Sequence, residues 1–466
     1  MSPIDQPSTP ALSSTAAHPG SVGYRSDTIV ALATPPGRGG VAVVRLSGPQ
    51  ALALSEQLCT ASLADRPRHS FLTELHSPDQ HLLLDRALVT YFKAPASFTG
   101  EDLVEFSTHG GHVTPQRIIQ ALTTLDARPA EPGEFSLRAF LNGKFDLAEA
   151  EAMNQLVSSL SLRGQVTATE NLTGRLSRDI QQVRETLIHL LTVLEHELDF
   201  SDEDIDPLSH LEIKRTLTEA LDQLDRLRVT APYGRIIKEG VRIVLIGPPN
   251  AGKSSLFNAL IGHEQAIVTP IPGTTRDSLE AWIDMDGFPV CLVDTAGLGE
   301  SDDPIEQIGV QRTREQATRA DIILALDPAQ PRSLELEPDI SIDNTIIYVL
   351  SKADERPSLE VPDGTIPTSV VSEAGLDQLL DHLVHALRGF VPAADSAIVS
   401  SNRQLSALMQ ARDRLEAVQA QLDQGQAMDI ISGEIRLAVN SLAEIIGETT
   451  SDEVIQNIFS EFCIGK

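Results

Sequence analysis

Hydrophobic and polar positions repeat at two different periods along this chain, and the changes of period divide it. Over residues 27–145 the apolar residues come in short runs separated by turn signals. "TIVALAT", "GVAVVRLSG" and "DRALVTYF" predict strands, "PPGRGG" and "HGGH" predict turns, and "PQRIIQALTTL" predicts a helix. This is the pattern of a small α+β domain. From Asp146 to about Leu227 the period lengthens. Leu176, Ile180, Val183, Leu187, Leu190, Leu194 and Leu198 recur at steps of three or four and share one helical face. The acidic run "DFSDEDID" (199–206) breaks this stripe as a solvated loop, and Leu217, Leu221, Leu224 and Leu227 resume it.

Between 241 and 390 the runs shorten again. "VRIVLIG", "PVCLVDT", "DIILALD" and "TIIYVLS" are compact and bounded by turns, as buried parallel strands of a doubly wound sheet are. After "VPAADS" the helical period returns, with Leu405, Leu408, Leu415, Val418 and Leu422 on one stripe and Ile431, Ile435, Leu442 and Ile445 on another. Neither helical segment can cover its own stripe. They are therefore expected to pack together as one helical domain with the α/β unit inserted between them. The expected order is a disordered Ser/Pro/Ala/Thr-rich tail (1–26), an N-terminal domain (27–145), a first helical part (146–238), an α/β domain (239–391) and a second helical part (392–466). The fold class is multidomain, α+β and α/β.

Composition narrows the function. A chain of 466 residues exceeds one ordinary core, and a hydrophobic share of 41% is that of a folded protein. The net charge is −30, of which residues 1–145 carry only −2. So acidic a surface argues against broad, non-specific nucleic-acid binding, which needs cations to displace counterions, while leaving local RNA contacts open. Cys59, Cys291 and Cys463 are odd in number and far apart, the usage of a reducing compartment without structural disulfides. No N-terminal apolar run forms a signal peptide, and no apolar stretch approaches the ~20 residues that span a bilayer. A cytoplasmic location without a membrane is expected.

The chemistry is concentrated in the α/β segment. Gly247-x-x-x-x-Gly252-Lys253-Ser254 follows a strand and opens a helix, the context a phosphate loop requires. Its amides turn toward the phosphates, Lys253 reaches the β- and γ-phosphate oxygens, and Ser254 ligates Mg²⁺. "DTAG" (294–297) follows the next strand, so Asp294 fits the carboxylate that positions Mg²⁺ and the Gly297 amide fits the γ-phosphate. In "PGTTRD" (272–277), Thr275 is the candidate that touches Mg²⁺ only when the γ-phosphate is present. "SKAD" (351–354) ends another strand. Asp354 can accept both guanine N–H groups, and adenine offers no such pair. Ser351 stands where the common motif has Asn and supplies fewer contacts. The nucleotide contacts expected further include Ala251, Ser255, Thr295, Ala296, Lys352 and Ser369. Many small GTPases carry Gln directly after "DTAG"; here Leu298 occupies that place and cannot orient water. Glu306 in "IEQIG" is a polar replacement, although spacing alone favours an ordinary solvated carboxylate.

Taken with these motifs, "TIVALATPPGRGGVAVVRLSG", "SFTGEDLVEF", "HGGH", "PGEFSLRAFLNGKFDLAEAEA", "GPPNAGKSSLFN" and the terminal "FCIGK" make the chain resemble the MnmE (TrmE) family of tRNA modification GTPases. The resemblance covers nearly everything after the tail. It implies a Ras-like P-loop G domain inserted in the helical domain, and an N-terminal domain that dimerises and binds 5-formyltetrahydrofolate or methylenetetrahydrofolate. Arg45, Glu105, Lys144 and Lys466 would line that pocket; from the sequence alone Arg45 and Lys144 are ordinary surface charges. It also implies a potassium-dependent GTPase activated by G-domain dimerisation, with K⁺ held by Asn250 and by carbonyls around Thr269, Ile271 and Thr274. Glu306 becomes the water-orienting acid. The "CIGK" tail folds back toward the folate, which makes Cys463 a candidate for the chemistry beside a structural reading. The implied partners are a second copy, tRNA and an FAD- and NADH-using protein of the MnmG (GidA) type, in a heterotetramer or larger complex. The implied product carries an aminomethyl or carboxymethylaminomethyl group at C5 of the wobble uridine. Two rivals stay open: a regulatory switch in ribosome assembly, which would want a basic RNA-binding domain, and a structural dimer whose GTPase only controls assembly.

Overall fold

The computed structural model describes residues 26–79, 81–199, 210–263, 265–266, 279–295, 313–334, 345–356, 361–392 and 396–465. The chain divides into two compact units, one made of residues 1–151 with 446–466 and the other of residues 152–445.

The first unit is built on a six-stranded sheet. Its strands are β1 (Ile29–Leu32), β2 (Val41–Ser47), β3 (Ser70–His76), β4 (Leu83–Phe92), β5 (Leu103–His109) and β6 (Arg128–Pro129). The sheet order is β3-β4-β5-β2-β1-β6, antiparallel throughout except for the β1–β6 pair. The period-2 alternation of β2 puts Ala42, Val44 and Leu46 inside while Val43 and Arg45 take the other face. Helices α1 (Ala51–Leu58) and α2 (Thr114–Thr124) close that core, with Ile118 and Leu122 packed against Val104 and Phe106. The opposite face carries α3 (Glu134–Leu141) and the start of α4 (Leu147–Ser158). There Leu147 and Ala150 form a second cluster with Phe459 and Phe462 from the last helix, α13 (Asp452–Ser460). The strands expected from "TIVALAT", "GVAVVRLSG" and "DRALVTYF" and the helix from "PQRIIQALTTL" are all present.

The second unit holds a seven-stranded sheet: β7 (Val241–Ile246), β8 (Gln265–Ala266), β9 (Leu279–Met285), β10 (Phe288–Asp294), β11 (Ile322–Asp327), β12 (Thr345–Ser351) and β13 (Thr365–Thr368), in the order β13-β12-β11-β7-β10-β9-β8. The four strands read from apolar runs are β7, β10, β11 and β12, and they are mutually parallel where they pair. β10 is buried at every position, which is why its run is continuous. β8 and β9 add an antiparallel edge; β9 mixes Glu and Asp among its apolar residues and so lacks that signature. Helices α9 (Lys253–His263) and α10 (Leu376–Arg388) cover one face with Leu256, Leu260, Leu379 and Leu383.

The same unit holds α5 (Leu162–Leu172), α6 (Arg175–Asp199), α7 (His210–Arg228), α8 (Ala231–Glu239), α11 (Asn402–Asp423) and α12 (Met428–Ile446), of which α5 and α8 touch β10. The predicted stripes are buried: Leu176, Ile180, Val183, Leu187, Leu190 and Leu194 on α6, Leu217, Leu221, Leu224 and Leu227 on α7, and Ile431, Ile435, Leu442 and Ile445 on α12. Each such side chain contributes about 1.5–3 kcal/mol by leaving water. Leu198 departs from its stripe. It is 42% exposed, because it falls in the last turn of α6. Asp199, the first residue of the acidic run, ends α6, and the rest of the run lies outside the described residues. α7 and α11, far apart in sequence, pack together; Lys214 pairs with Asp423 and Arg412 with Asp225. The return from the α/β sheet into α11 is pinned by backbone contacts. The Asn171 side chain donates to the Ile398 carbonyl at 2.9 Å, and Thr230 Oγ1 accepts from the Val399 amide at 3.0 Å.

Candidate functional site: a nucleotide cleft and a second polar pocket

The loop between β7 and α9 has the backbone its sequence demands. Gly252 has φ +89°, a left-handed conformation that costs glycine little and other residues much more. Asn250, at φ +60°, is one of the residues that tolerate this region, and its side chain is exposed. Lys253 opens α9 and is buried, with Nζ donating to the carbonyls of Gly247 (3.1 Å) and Pro248 (3.0 Å). Burial lowers its pKa below the ordinary lysine value, although the Asp294 charge opposes the shift. An ammonium held over the loop by two neutral carbonyls is poised for phosphate oxygens, which attract it more strongly.

Beside it, Ser254 Oγ donates to Asp294 Oδ2 at 2.6 Å. The other carboxylate oxygen, Oδ1, is buried without a hydrogen-bond partner. A buried carboxylate oxygen left unpaired costs free energy unless a ligand takes it. This pairing of a loop serine with a strand-end carboxylate fits the donor set of a hard, oxygen-seeking Mg²⁺. Thr295 is placed beside them, but its hydroxyl is committed to the Leu245 carbonyl at 2.7 Å.

The far end of the cleft is formed where β12 and β13 stop. Gly252, Ser255, Ser351, Lys352, Asp354 and Val370 are among the residues that line an open cleft of about 110 Å³. Lys352, at φ +54°, turns the chain so that Asp354 follows into the cleft. Ser351 Oγ is buried with no hydrogen-bond partner, so the group that replaces the usual Asn is still free to meet a ligand. Ser369, also buried, accepts at Oγ from the Ser372 amide and thereby shapes the adjoining loop. Asn250, Ala251, Gly252, Lys253, Ser254, Ser255, Asp294, Ser351, Lys352, Asp354 and Ser369 thus lie at or just beyond the C-terminal ends of β7, β10, β12 and β13. Thr269, Ile271, Thr274, Thr275, Ala296, Gly297 and Glu306 lie outside the described residues.

A second polar cluster belongs to the first unit. Arg45 on β2 faces Glu105 on β5 in register, with Nη2 donating to Glu105 Oε1 at 2.8 Å. Its guanidinium lies 5.1 Å from the Phe98 ring centre and 5.8 Å from that of Phe135, and Nη1 donates to the Gly465 carbonyl at 3.3 Å. Lys144 is exposed nearby, its Nζ donating to the Pro95 carbonyl at 2.9 Å; Lys466 lies outside the described residues. Cys463 is exposed and free, as Cys59 and Cys291 are free. Sequence reasoning missed the aromatic walls Phe98 and Phe135 and an ion network in the same unit. Arg138, 2% exposed, donates to Asp27, Glu101 and Glu134, and Arg128 pairs with Asp27 and Glu134. Burial would raise the Glu134 carboxyl, but hydrogen bonds from Arg128, the Glu131 amide and Arg138 outweigh it and hold the pKa below the usual carboxylate range. The spacing Glu134–Arg138, one helical turn, was the one local signal for this network.

A phosphate loop on a mostly parallel sheet, a strand-end carboxylate tied to the loop serine and an acidic base-binding turn together define a P-loop GTPase, here carried between helices and joined to a separate α+β unit. Two family models match the chain, that of the MnmE helical domain over residues 147–463 and that of the GTP-binding protein TrmE N-terminus over residues 28–144. A tRNA modification GTPase MnmE from Natranaerobius thermophilus is 39% identical over 94% of this chain and 99% of its own length. One from Aeromonas salmonicida is 41% identical over 95% and 100%. The chain belongs to the MnmE family of tRNA modification GTPases, and it is a GTP hydrolase. Among solved structures, the G domain of the T. maritima FeoB iron transporter is 27% identical, covering 31% of this chain and 97% of that one with a TM-score of 0.24. No helix among the described residues is long and apolar enough to cross a membrane.

Proposed function

We propose that this chain is a potassium-dependent GTPase, activated when two copies bring their G domains together, that works with an FAD- and NADH-using partner to install an aminomethyl or carboxymethylaminomethyl group at C5 of the tRNA wobble uridine. The observation that carries the reading is the coexistence in one chain of the GTP cleft and the Arg45–Glu105 pocket, which the C-terminal Gly465 carbonyl joins.

In the cleft, Asp354 accepts the two guanine N–H groups, and rejection of adenine is on the order of 10⁴-fold because a carboxylate would be left unpaired. Lys253 exchanges its two carbonyls for β- and γ-phosphate oxygens. Ser254 and Asp294 would hold Mg²⁺, with Thr275 joining them in the triphosphate state; the metal supplies charge neutralisation of the phosphates. Asn250, exposed at the loop tip, would offer its side-chain oxygen to K⁺ together with carbonyls around Thr269, Ile271 and Thr274. A cation there supplies the positive charge that an arginine finger supplies elsewhere, worth about 10³–10⁵ in rate. Glu306 orients the attacking water.

In the N-terminal pocket, the Glu105 carboxylate suits the amino-pyrimidine edge of a folate. Lys144 and Lys466 suit its anionic glutamyl tail, and Phe98 and Phe135 give flat apolar walls around Arg45. The folate, as 5-formyltetrahydrofolate or methylenetetrahydrofolate, supplies the one-carbon unit, and ammonia or glycine the amine. Where the protein acts follows from that substrate: the cytoplasm, with tRNA and the partner in a heterotetramer or larger complex. Mass spectrometry of wobble nucleosides from cells lacking the gene tests the reading. Loss of the C5 substituent is expected; full modification in its absence overturns it.

A further inference from the structure

We propose that the tight turn joining β9 to β10, at Asp286–Gly287, is the element through which nucleotide state reaches the helical part of the chain, with Arg163 and Arg388 as its positioning residues. The inference rests on the function proposed above, in that it concerns how hydrolysis is linked to chemistry outside the sheet.

The sequence sets the geometry. "PGTTRD" runs into β9, and β10 ends at Asp294 in "DTAG". On the function proposed above, the two segments that would sense a γ-phosphate adjoin in sequence the two open ends of one hairpin, and Asp286–Gly287 is its closed end. Met285 faces Phe288 across a two-residue turn, and both turn residues are left-handed, Asp286 at φ +52° and Gly287 at φ +82°. That is the tight hairpin geometry whose twist matches the strands and fixes their register. The Gly287 amide donates to Asp284 Oδ1 at 2.7 Å. β10 is buried throughout and flanked by β7 and β9, a continuous paired strand of about 20 Å from Asp294 to Phe288 at ~3.3 Å per residue.

At the closed end, four contacts converge on the turn from Arg163, in the first turn of α5. Its Nε donates to the Asp286 carbonyl (2.9 Å), its Nη2 to Asp286 Oδ2 (3.2 Å) and its backbone amide to the Gly287 carbonyl (3.3 Å). Its guanidinium lies 4.5 Å from the Phe288 ring centre. A Cβ on Gly287 would come within 3.0 Å of Arg163 Cγ. Arg388, the last residue of α10, grips the same carboxylate with both of its hydrogen-bonding arms, Nε to Oδ2 at 2.9 Å and Nη2 to Oδ1 at 3.0 Å. A lone exposed ion pair is worth little and is loosely defined. Here backbone, carboxylate and ring bonds together allow one position of the turn relative to α5, and a slip of one residue along the strand breaks all of them. The turn is therefore a contact that is made as a whole or lost as a whole, the kind of element through which a ligand can bias a distant site.

The test uses the full-length chain with Asp286→Ala, Arg163→Ala and Arg163→Lys. Two quantities are read: hydrogen exchange of residues 162–172 with GDP and with GDP–aluminium fluoride plus K⁺, and nucleosides modified per GTP hydrolysed with tRNA and the partner protein. In the wild type, exchange over 162–172 differs between the two nucleotide states. In Asp286→Ala and Arg163→Ala that difference vanishes and modification per GTP falls about tenfold, while nucleotide affinity and GTP turnover stay within about threefold. Arg163→Lys, which keeps the charge but loses the fork and the ring contact, recovers only part of the linkage. Persistence of the exchange difference in both alanine variants overturns the proposal, and so does a parallel fall of turnover, modification and melting temperature. A wild-type chain that shows the exchange difference but modifies no tRNA refutes the function proposed above and leaves this contact standing.

Discussion

Replacing Ser351 with Ala separates stability from affinity in opposite directions. Its hydroxyl is buried at the end of β12 and makes no hydrogen bond, yet it lines the cleft that holds Asp354 and Lys352. An orphaned buried hydroxyl carries a desolvation cost of about 1–3 kcal/mol, which Ala removes. The ligand-free chain should therefore melt higher, by an amount equivalent to roughly 1 kcal/mol after the small lost packing is subtracted. With GDP bound, the same hydroxyl gains its one partner, and a neutral hydrogen bond contributes about 0.5–1.5 kcal/mol. Removing it weakens GDP binding by about 2- to 13-fold. Titration with a fluorescent GDP analogue gives the affinity, and thermal melting without nucleotide gives the stability. An unchanged Kd, or a variant that melts lower than the parent, would show that Ser351 is an internal structural group and that the base is held by Asp354 alone.

Three further outcomes follow from the same contacts. Asp354→Asn trades two acceptor sites for an amide and is expected to weaken GTP binding about 10²- to 10⁴-fold while admitting xanthosine triphosphate, measured by competition. Arg138→Met leaves Asp27, Glu101 and Glu134 to share fewer cations in a buried site; a loss of about 3–5 kcal/mol in the first unit is expected in urea unfolding, with nucleotide affinity unchanged. For both Asp27 and Glu134, burial acts to raise the pKa but the arginine hydrogen bonds win and leave it lowered. Their stabilisation is therefore complete above the unfolded carboxylate pKa of about 4 and is lost as pH falls through the lower folded values, so the first unit's melting temperature should hold from neutrality and drop only in that acid range.

Much of the α/β sheet was legible because its chemistry is local. A strand, a glycine loop and a helix occupy neighbouring residues, so Lys253, Ser254 and Asp354 can be placed from spacing. The helical stripes were legible for the same reason, since Leu176 to Leu194 answer to one period on one helix; Leu198 obeys the period but not the burial, because a period cannot say where the covering partner stops. The antiparallel β9 was missed because Glu280 and Asp284 interrupt its apolar run. The N-terminal pocket was not legible from residues alone. Arg45 meets Glu105 from another strand, Phe135 from a helix and Gly465 from the far end of the chain, and no window of sequence contains such a meeting. Only resemblance to a family joined Arg45, Glu105 and Lys144 beforehand. Arg138 escaped both routes, since its partners Asp27 and Glu101 are as remote as its burial is complete.

The first unit draws its residues from both termini, with 446–466 packed among 1–151 and Phe459 and Phe462 inside its second cluster. During synthesis its sheet emerges first, but roughly 300 residues must follow before Phe459 exists, a wait of about 15–60 s at ~5–20 residues per second. Until then the apolar faces of Leu147 and Phe140 stay open to the solvent or to a chaperone. The cluster around Phe459 therefore closes only after the nucleotide-binding sheet has been made, so the unit whose sheet is synthesised first is the one whose core is completed last.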